Sequence, residues 1–324
     1  MEEPRFFRYS RYLKQKYGQA VYRISVDAGF TCPHRRTDGS GGCGFCDELG
    51  SRAAYQEELF EGRSIRVARG TKLSEERLEL IRLQIQRGRE FLLRRYGAER
   101  YILYFQAFTN TFAPPRVLKK IYDYALSQGD FLELIVSTRP DCLSPANVRL
   151  LASYRRPNFD VWVELGLQSA HNRTLSRVNR GHSVERFQKA FRLLREAGLK
   201  ISVHLIFGLP GEGLEETLET IEYLAALGPE AVKIHNVNIP EGTLLSREYL
   251  CGEYVPPSDL RHMDYLIEAL RRLPPRTVIQ RVTCDTAGER REAPLNFMPK
   301  GAFYQRLEEK MRSLEIFQGD LSRC

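Results

Sequence analysis

The amino-acid sequence predicts an α/β protein whose parallel strands curl into a full or partial barrel. Three observations carry that prediction. Short β-rich runs alternate with amphipathic helical stretches, the connections between them are short and contain glycine, and polar residues gather just after the strands, where an α/β barrel carries its chemistry. The first strand is VYRISVDAG at 21–29, and it feeds a long loop rich in cysteine and glycine. In SEERLELIRLQIQRGREFLLRRYG, Ser74 caps a helix, acidic residues fill its first turn, Leu78, Ile81, Ile85 and Leu92 share one face, and Gly97 ends it. YILYFQ at 101–106 and LELIVS at 132–137 flank a helix over 115–128 closed by Gly129, and their unbroken apolar runs suit strands buried on both faces.

The unit then repeats. A short helix follows Ser144, DVWVELGLQ is a strand, 184–197 is a helix ended by Gly198, and KISVHLIFG is the next strand. A helix over 214–226 precedes the strand AVKIHNV. After about Gly242 the rhythm loosens into a helix near 258–272, a β-like run TVIQRVTCD, a stretch with Pro294 and Pro299, and a terminal helix. The expected organisation is a barrel over 1–242 with its N-terminal segment, and a C-terminal extension over 243–324 packed on it, since no low-complexity linker separates the two.

The chain has 324 residues and a mass of 37.5 kDa, within the range of one large α/β barrel. With 42% hydrophobic and 28% charged residues, and no run near the roughly 20 apolar residues a bilayer span needs, no membrane role is expected. The charged, aromatic start MEEPRFFRYSRYLKQKYG lacks a secretory signal, so the expected location is cytoplasmic. The net charge of +8, dominated by arginine, admits nucleic acid as a partner and equally fits solvated helix faces. Of seven cysteines, Cys142, Cys251, Cys284 and Cys324 are scattered, while Cys32, Cys43 and Cys46 crowd together as a metal or catalytic group would.

Those three lie in FTCPHRRTDGSGGCGFC, where Cys43 and Cys46 form a CxxC and Gly39, Gly41, Gly42 and Gly44 let the loop wrap tightly. Three thiolates fit a [4Fe–4S] cluster with one iron left open; adding His34 gives a Cys3His zinc site. A redox CxxC has no thioredoxin-like unit around it. Glu164 falls in an apolar strand, where a carboxylate must meet a ligand or an internal arginine. His182 and His235 are either proton-transfer groups or structural histidines.

An aromatic residue before the last cysteine of such a loop, directly after the first strand, resembles the radical S-adenosylmethionine (SAM) superfamily. Further blocks in matching order, YFQAFTNTFAPP, VSTRPDCL, VELGLQSAHNRTLSRVNRGHS, HLIFGLPGE, IHNVNIPEGT and QRVTCDTAGERREAPLNF, resemble its bacterial YhcC/YtqA-type family, with Elp3-like and coproporphyrinogen-oxidase-like enzymes as more distant relatives. The resemblance implies an α/β, partial (βα)6 TIM-like radical SAM barrel with a C-terminal extension. It also implies a [4Fe–4S] cluster on Cys32, Cys43 and Cys46, SAM on the open iron, and an electron donor such as flavodoxin or ferredoxin. SAM would be cleaved to methionine and a 5′-deoxyadenosyl radical that abstracts a hydrogen.

By the same resemblance Phe45 lies near the adenine, Arg180 binds the cofactor carboxylate, and Gln168 and Ser169 lie near the ribose. The superfamily's usual Gly-Gly-Glu after the second strand is replaced by QAFTNT, which leaves Gln106 and Thr109 for the cofactor's amino group. Ser137 and Glu164 complete the expected cofactor contacts, and Arg281 and Asp285 are expected to face substrate, with Cys284 as a second thiol beside them. No catalytic residue is assigned. The substrate expected from the Elp3-like resemblance and the charge is a tRNA wobble-uridine side chain, with RFFRYSRYLKQKYG either splaying the base or capping the barrel. A small-molecule substrate and a non-catalytic, zinc-stabilised nucleic-acid module are the rival readings. Oligomeric state and the hydrogen abstracted leave no mark in the sequence.

Overall fold

The apolar runs become strands of one parallel sheet, joined by helices that cover its outer face. The computed structural model describes residues 3–36, 41–46, 73–284 and 290–322. In chain order the elements are α1 (Tyr9–Tyr17), β1 (Tyr22–Val26), α2 (Glu75–Tyr96), β2 (Tyr101–Phe105), α3 (Pro115–Leu126), β3 (Phe131–Thr138), α4 (Pro145–Ser153), β4 (Asp160–Gln168), α5 (Asn172–Arg177) and α6 (Val184–Glu196). They continue as β5 (Lys200–Phe207), α7 (Leu214–Leu227), β6 (Ala231–Asn236), β7 (Ile239–Pro240), α8 (Leu244–Leu250), α9 (Asp259–Arg272), β8 (Val278–Arg281), β9 (Arg291–Ala293) and α10 (Lys300–Ser313). No helix of the described residues is long and apolar enough to cross a membrane.

The sheet runs β1-β2-β3-β4-β5-β6-β8, every pair parallel, so consecutive strands are neighbours and the sheet curls into a partial barrel. Six βα units were expected. The seventh strand, β8, comes from the run TVIQRVTCD in the C-terminal region and pairs with β6. The run was expected to be β-like; what it lacked was a sign of its place in the sheet, which the pairing with β6 supplies.

Alternate residues along each strand face opposite ways. Outward residues such as Ile24, Leu103, Val136, Val163, Val203 and Ile234 are fully buried against the helices. In α2, Ser74 Oγ accepts from the Arg77 amide at 3.2 Å, and Gly97 closes the helix in the left-handed conformation. The expected stripe is shifted at its start: Leu78 is half-buried, while Leu80 and Arg77 are buried with Ile81, Ile85 and Leu92. Arg77 belongs there because its Nε donates to Ala28 O at 2.5 Å and its guanidinium lies 4.5 Å from the Phe30 ring centre.

Inside, the floor of the barrel is apolar and is plugged by α1. Leu13 packs with Val21, Ile102, Ile135, Trp162, Ala231 and Val278, which lie at or near the strands' N-terminal ends. Below it Lys16 bonds Glu133 and Asp160, Lys200 bonds Asp160 at 2.5 Å, and the Tyr17 hydroxyl donates to Glu133 at 2.8 Å. This corrects one reading of RFFRYSRYLKQKYG: the segment caps the end of the barrel opposite the cysteine loop, Phe7, Tyr9, Tyr12 and Tyr17 pack in that plug while Phe6 packs against Tyr304, and it does not splay a base at the mouth. Leu13→Ala is expected to lower unfolding free energy by about 2–5 kcal/mol, against less than about 0.5 kcal/mol for the exposed neighbour Lys14→Ala; denaturant titration of the two variants checks this.

Candidate active site

The cysteine loop sits beyond the C-terminal end of β1 and is docked onto the segment after α5. A turn brings Arg35 N to Cys32 O at 3.2 Å, and Gly42 N to His34 O at 3.1 Å. Gly41 has φ +77°, and a Cβ there would lie 2.8 Å from His34 O, so the turn requires glycine. Gly44 N donates to Val178 O at 2.8 Å, Asn179 Nδ2 donates to Gly42 O at 2.7 Å, and Cys46 N donates to Cys43 O at 3.0 Å. Phe45 is half-buried against an apolar cluster that includes Val178, Ile206 and Leu245.

Cys43 is the electrostatic centre of this arrangement. Its Sγ lies 3.4 Å from Arg180 Nη1, 3.6 Å from His34 Nε2 and 3.7 Å from Arg139 Nη1. Burial works against ionisation, but Arg180, then His34 and Arg139, hold the Cys43 thiol down at about 6. Cys32 differs: burial pushes its thiol up, opposed by the Thr109 hydroxyl 3.1 Å away. Among the described residues no three His, Cys, Asp or Glu side chains converge to hold a single metal ion, and His34 stands as a hydrogen-bond partner of Cys43.

Arg139, which the sequence reading passed over within VSTRPDCL, is as central as Arg180. It is buried, held by Asp141 through two bonds of 2.9 and 3.1 Å, and donates to Arg180 O at 2.7 Å. Arg180 in turn donates to Gly166 O at 3.0 Å. A Cβ on Gly166 would lie 2.5 Å from Arg180 Nη2 and 2.6 Å from Gln168 Nε2, so glycine makes room for both side chains. At this point β4 skips a residue in its pairing with β5, and Gln168 takes φ +75°, a conformation that costs a non-glycine residue about 1–3 kcal/mol. Ala107 and Phe108, in the loop QAFTNT, are also left-handed at φ +68° and +54°.

The remaining expected residues fall into two groups. Gln106, half-buried, directly follows β2, while the Ser169 hydroxyl is committed to Glu212 and to the His171 amide, tying β4 to the turn GLPGE. Ser137 and Glu164 lie deeper. Ser137 Oγ donates to the Tyr104 hydroxyl at 3.2 Å, and Glu164 Oε1 accepts from Lys233 at 2.5 Å and Tyr104 at 2.8 Å, with Arg23 3.9 Å from Oε2. Burial would raise the Glu164 carboxyl, but Lys233 and Arg23 hold it down at about 2. His182 Nε2 donates to Gly166 O, 3.1 Å away, and burial and Arg180 lower it to about 3, so it stays neutral. His235 lies 3.4 Å from Arg281 Nη1, and the Cys284 Sγ is bonded by Asn238 Nδ2 at 3.1 Å. Asp285 lies outside the described residues. The signals for Lys233 and Arg23 were present in the sequence as the lone basic residues with a permanent charge inside the strand runs AVKIHNV and VYRISVDAG.

Comparison with known proteins decides the family. The model of the radical SAM superfamily matches residues 32–224, and that of the radical SAM C-terminal domain matches 229–313. The chain belongs to the radical SAM superfamily. It is 37% identical to Protein YhcC of Escherichia coli (strain K12) over 87% of this chain and 84% of that protein, which places it in the YhcC/YtqA group. It is 36% identical to the tRNA uridine(34) acetyltransferase of Methanocaldococcus infernus over 38% of this chain and 23% of that protein. Among solved structures, Methanocaldococcus infernus Elp3 superposes with a TM-score of 0.65 at 19% identity, covering 92% of this chain and 64% of that one, which shows a shared fold.

A radical SAM enzyme uses a [4Fe–4S] cluster and SAM and needs an electron donor. This structure fits them: a buried thiol is held in its ionised form by two guanidiniums, and beside it Arg180 Nε, Gln168 Oε1 and His34 Nδ1 are buried without a protein hydrogen-bond partner. Lys233→Met would leave the Glu164 carboxylate without its lysine and is expected to cost about 3–5 kcal/mol, most of it recovered in Glu164→Gln/Lys233→Met. Because the folded Glu164 pKa is depressed, its stabilisation is present above pH 4.5 and lost as pH falls towards 2; acid titration followed by circular dichroism should show a flatter acid limb in the double variant.

Proposed function

We propose that Cys32, Cys43 and Cys46 hold the cluster and that the enzyme removes a hydrogen from a tRNA base, a wobble-uridine side chain by class. The observation that carries the first part is Cys43, a buried thiol held as thiolate between Arg139 and Arg180 on the loop that also bears Cys32 and Cys46. The second part is supported by the identity with the tRNA uridine(34) acetyltransferase and by a net charge of +8, which suits a phosphate backbone.

When bound, the cluster and SAM supply an electron and a 5′-deoxyadenosyl radical. The chain's own groups bind, orient and shield. Arg180, whose Nε is buried without a partner, and Gln168, whose Oε1 is unpaired, are assigned to the cofactor's polar groups, and Phe45 to its adenine. Gln106 directly after β2 takes the amino group, with Thr109 holding Cys32 in place. Ser169, through Glu212, fixes the strand end that presents Gln168. Ser137 and Glu164 support this layer from below through Tyr104. Flavodoxin or ferredoxin is the proposed donor, and the cytoplasm the proposed location.

Anaerobic reconstitution with iron and sulfide should give a reduced [4Fe–4S] EPR signal that SAM alters and that Cys46→Ala abolishes, with 5′-deoxyadenosine formed under reductant. One tightly bound zinc and no SAM-responsive cluster would refute the assignment. Binding of unmodified tRNA should weaken at least about tenfold between 50 and 200 mM salt; absent or salt-insensitive binding would turn the substrate reading to a small molecule.

A further inference from the structure

The inner face of the sheet carries an excess of positive charge that neither the cysteine loop nor the floor of the barrel explains. The strand registers align Gly166, His204, Lys233 and Arg281 across four adjacent strands, β4, β5, β6 and β8. One row lower lie Glu164, Ser202 and Ala231. Gly166 contributes no side chain, and its carbonyl is held by Arg180, so the row begins beside the cysteine loop and runs across the sheet to Arg281 in the edge strand β8. Arg23 reaches the same layer from β1.

Among the described residues of this layer, Glu164 is the sole carboxylate set against Lys233, Arg23 and Arg281. Lys233 and Arg23 both lean on it, at 2.5 and 3.9 Å. Arg281 finds a neutral partner, the His235 ring 3.4 Å away. The His204 and His235 rings lie 4.1 Å apart, and burial, reinforced by the surrounding cations, keeps both neutral. They therefore supply hydrogen-bonding nitrogens and no counter-charge. Several polar atoms here are buried without a protein partner: Arg23 Nε and Nη2, His204 Nε2, Ser202 Oγ, and both amide atoms of Gln280, the neighbour of Arg281 in β8. Burying cations beyond the available carboxylates is costly, and unpaired buried donors are few in native proteins unless water or a ligand satisfies them. A layer with surplus cations, idle donors and neutral imidazoles is suited to an oxyanion.

We propose that this layer, beneath the cysteine loop, binds an oxyanionic group of the substrate, a carboxylate or a phosphate, between Lys233 and Arg281, with His204 and His235 as neutral hydrogen-bonding neighbours. Arg281 is the residue whose charge is not already engaged by a carboxylate of the layer, and it carries the specificity. The inference rests on the radical SAM reading of the site and adds to it the chemical class of the group that must reach the interior.

The test uses the cluster-reconstituted full chain. Thermal stabilisation is measured with acetate and with inorganic phosphate in separate titrations, at ionic strength held constant with chloride, for the wild type, Arg281→Met and Glu164→Gln/Lys233→Met. The double variant removes the ion pair without leaving a buried charge. Stabilisation of the wild type by one of the two anions, with apparent affinity falling at least tenfold in Arg281→Met, is the expected result, and the anion that works tells carboxylate from phosphate. Equal response of wild type and Arg281→Met, or no response to either anion, overturns the proposal. So does an unchanged anion response accompanied by a tenfold loss of SAM affinity in Arg281→Met, which would assign the layer to the cofactor. The SAM-dependent EPR change of the wild type reports the parent reading separately, so either can fail alone.

Discussion

Arg180 joins parts of the chain that are far apart in sequence. One of its Nη atoms lies 3.4 Å from Cys43 Sγ, the other donates to Gly166 O in β4, and its own carbonyl accepts from Arg139, which follows β3. Charge-assisted bonds of this kind are stronger and more directional than neutral ones, and in a buried setting they are screened little. They do two things at once. They favour the ionised form of a sulfur that burial would otherwise keep protonated, and they fasten a glycine-rich loop, which has little stiffness of its own, to the rigid ends of the strands.

The sheet makes such a setting possible by giving its two faces different tasks. Its outer face is apolar and buried under helices, which stabilises the barrel without polar compromise. Its inner face changes character along the strands, from the apolar floor around Trp162 and Leu13, through the Tyr104, Glu164 and Lys233 layer, to the arginines at the cysteine loop. Beneath the polar layers, α1 closes the floor. Charges in those layers interact in a medium of low polarisability, which strengthens a satisfied pair and penalises an idle one.

Much of this architecture was legible because it is written in local rules. The strand DVWVELGLQ coincides with β4, and the helix after Ser74 begins and ends at the expected cap and glycine. The cysteine spacing and the blocks around it pointed to the family that comparison shows. What the sequence left open depends on partners elsewhere in the chain. The β-like run of β8 joins the barrel sheet because β6 lies beside it, Arg77 replaces Leu78 on the buried face of α2 because the Ala28 carbonyl and Phe30 ring await it, and the N-terminal segment caps the barrel because the strands leave an apolar floor to be filled.

Element types, the parallel α/β class and the loop on which three thiols gather are legible locally, since propensity, capping and spacing act over a few residues. Which charges meet is fixed by the three-dimensional packing. Side chains alternate along a strand with a period of two, so a slip of one residue in the pairing of β6 would turn Lys233 away from Glu164. Arg139 and Arg180, forty-one positions apart, come together on Cys43 because β3 and β4 are neighbours in register. That register is set by the packing of the whole outer face, and no single segment carries enough information to specify it.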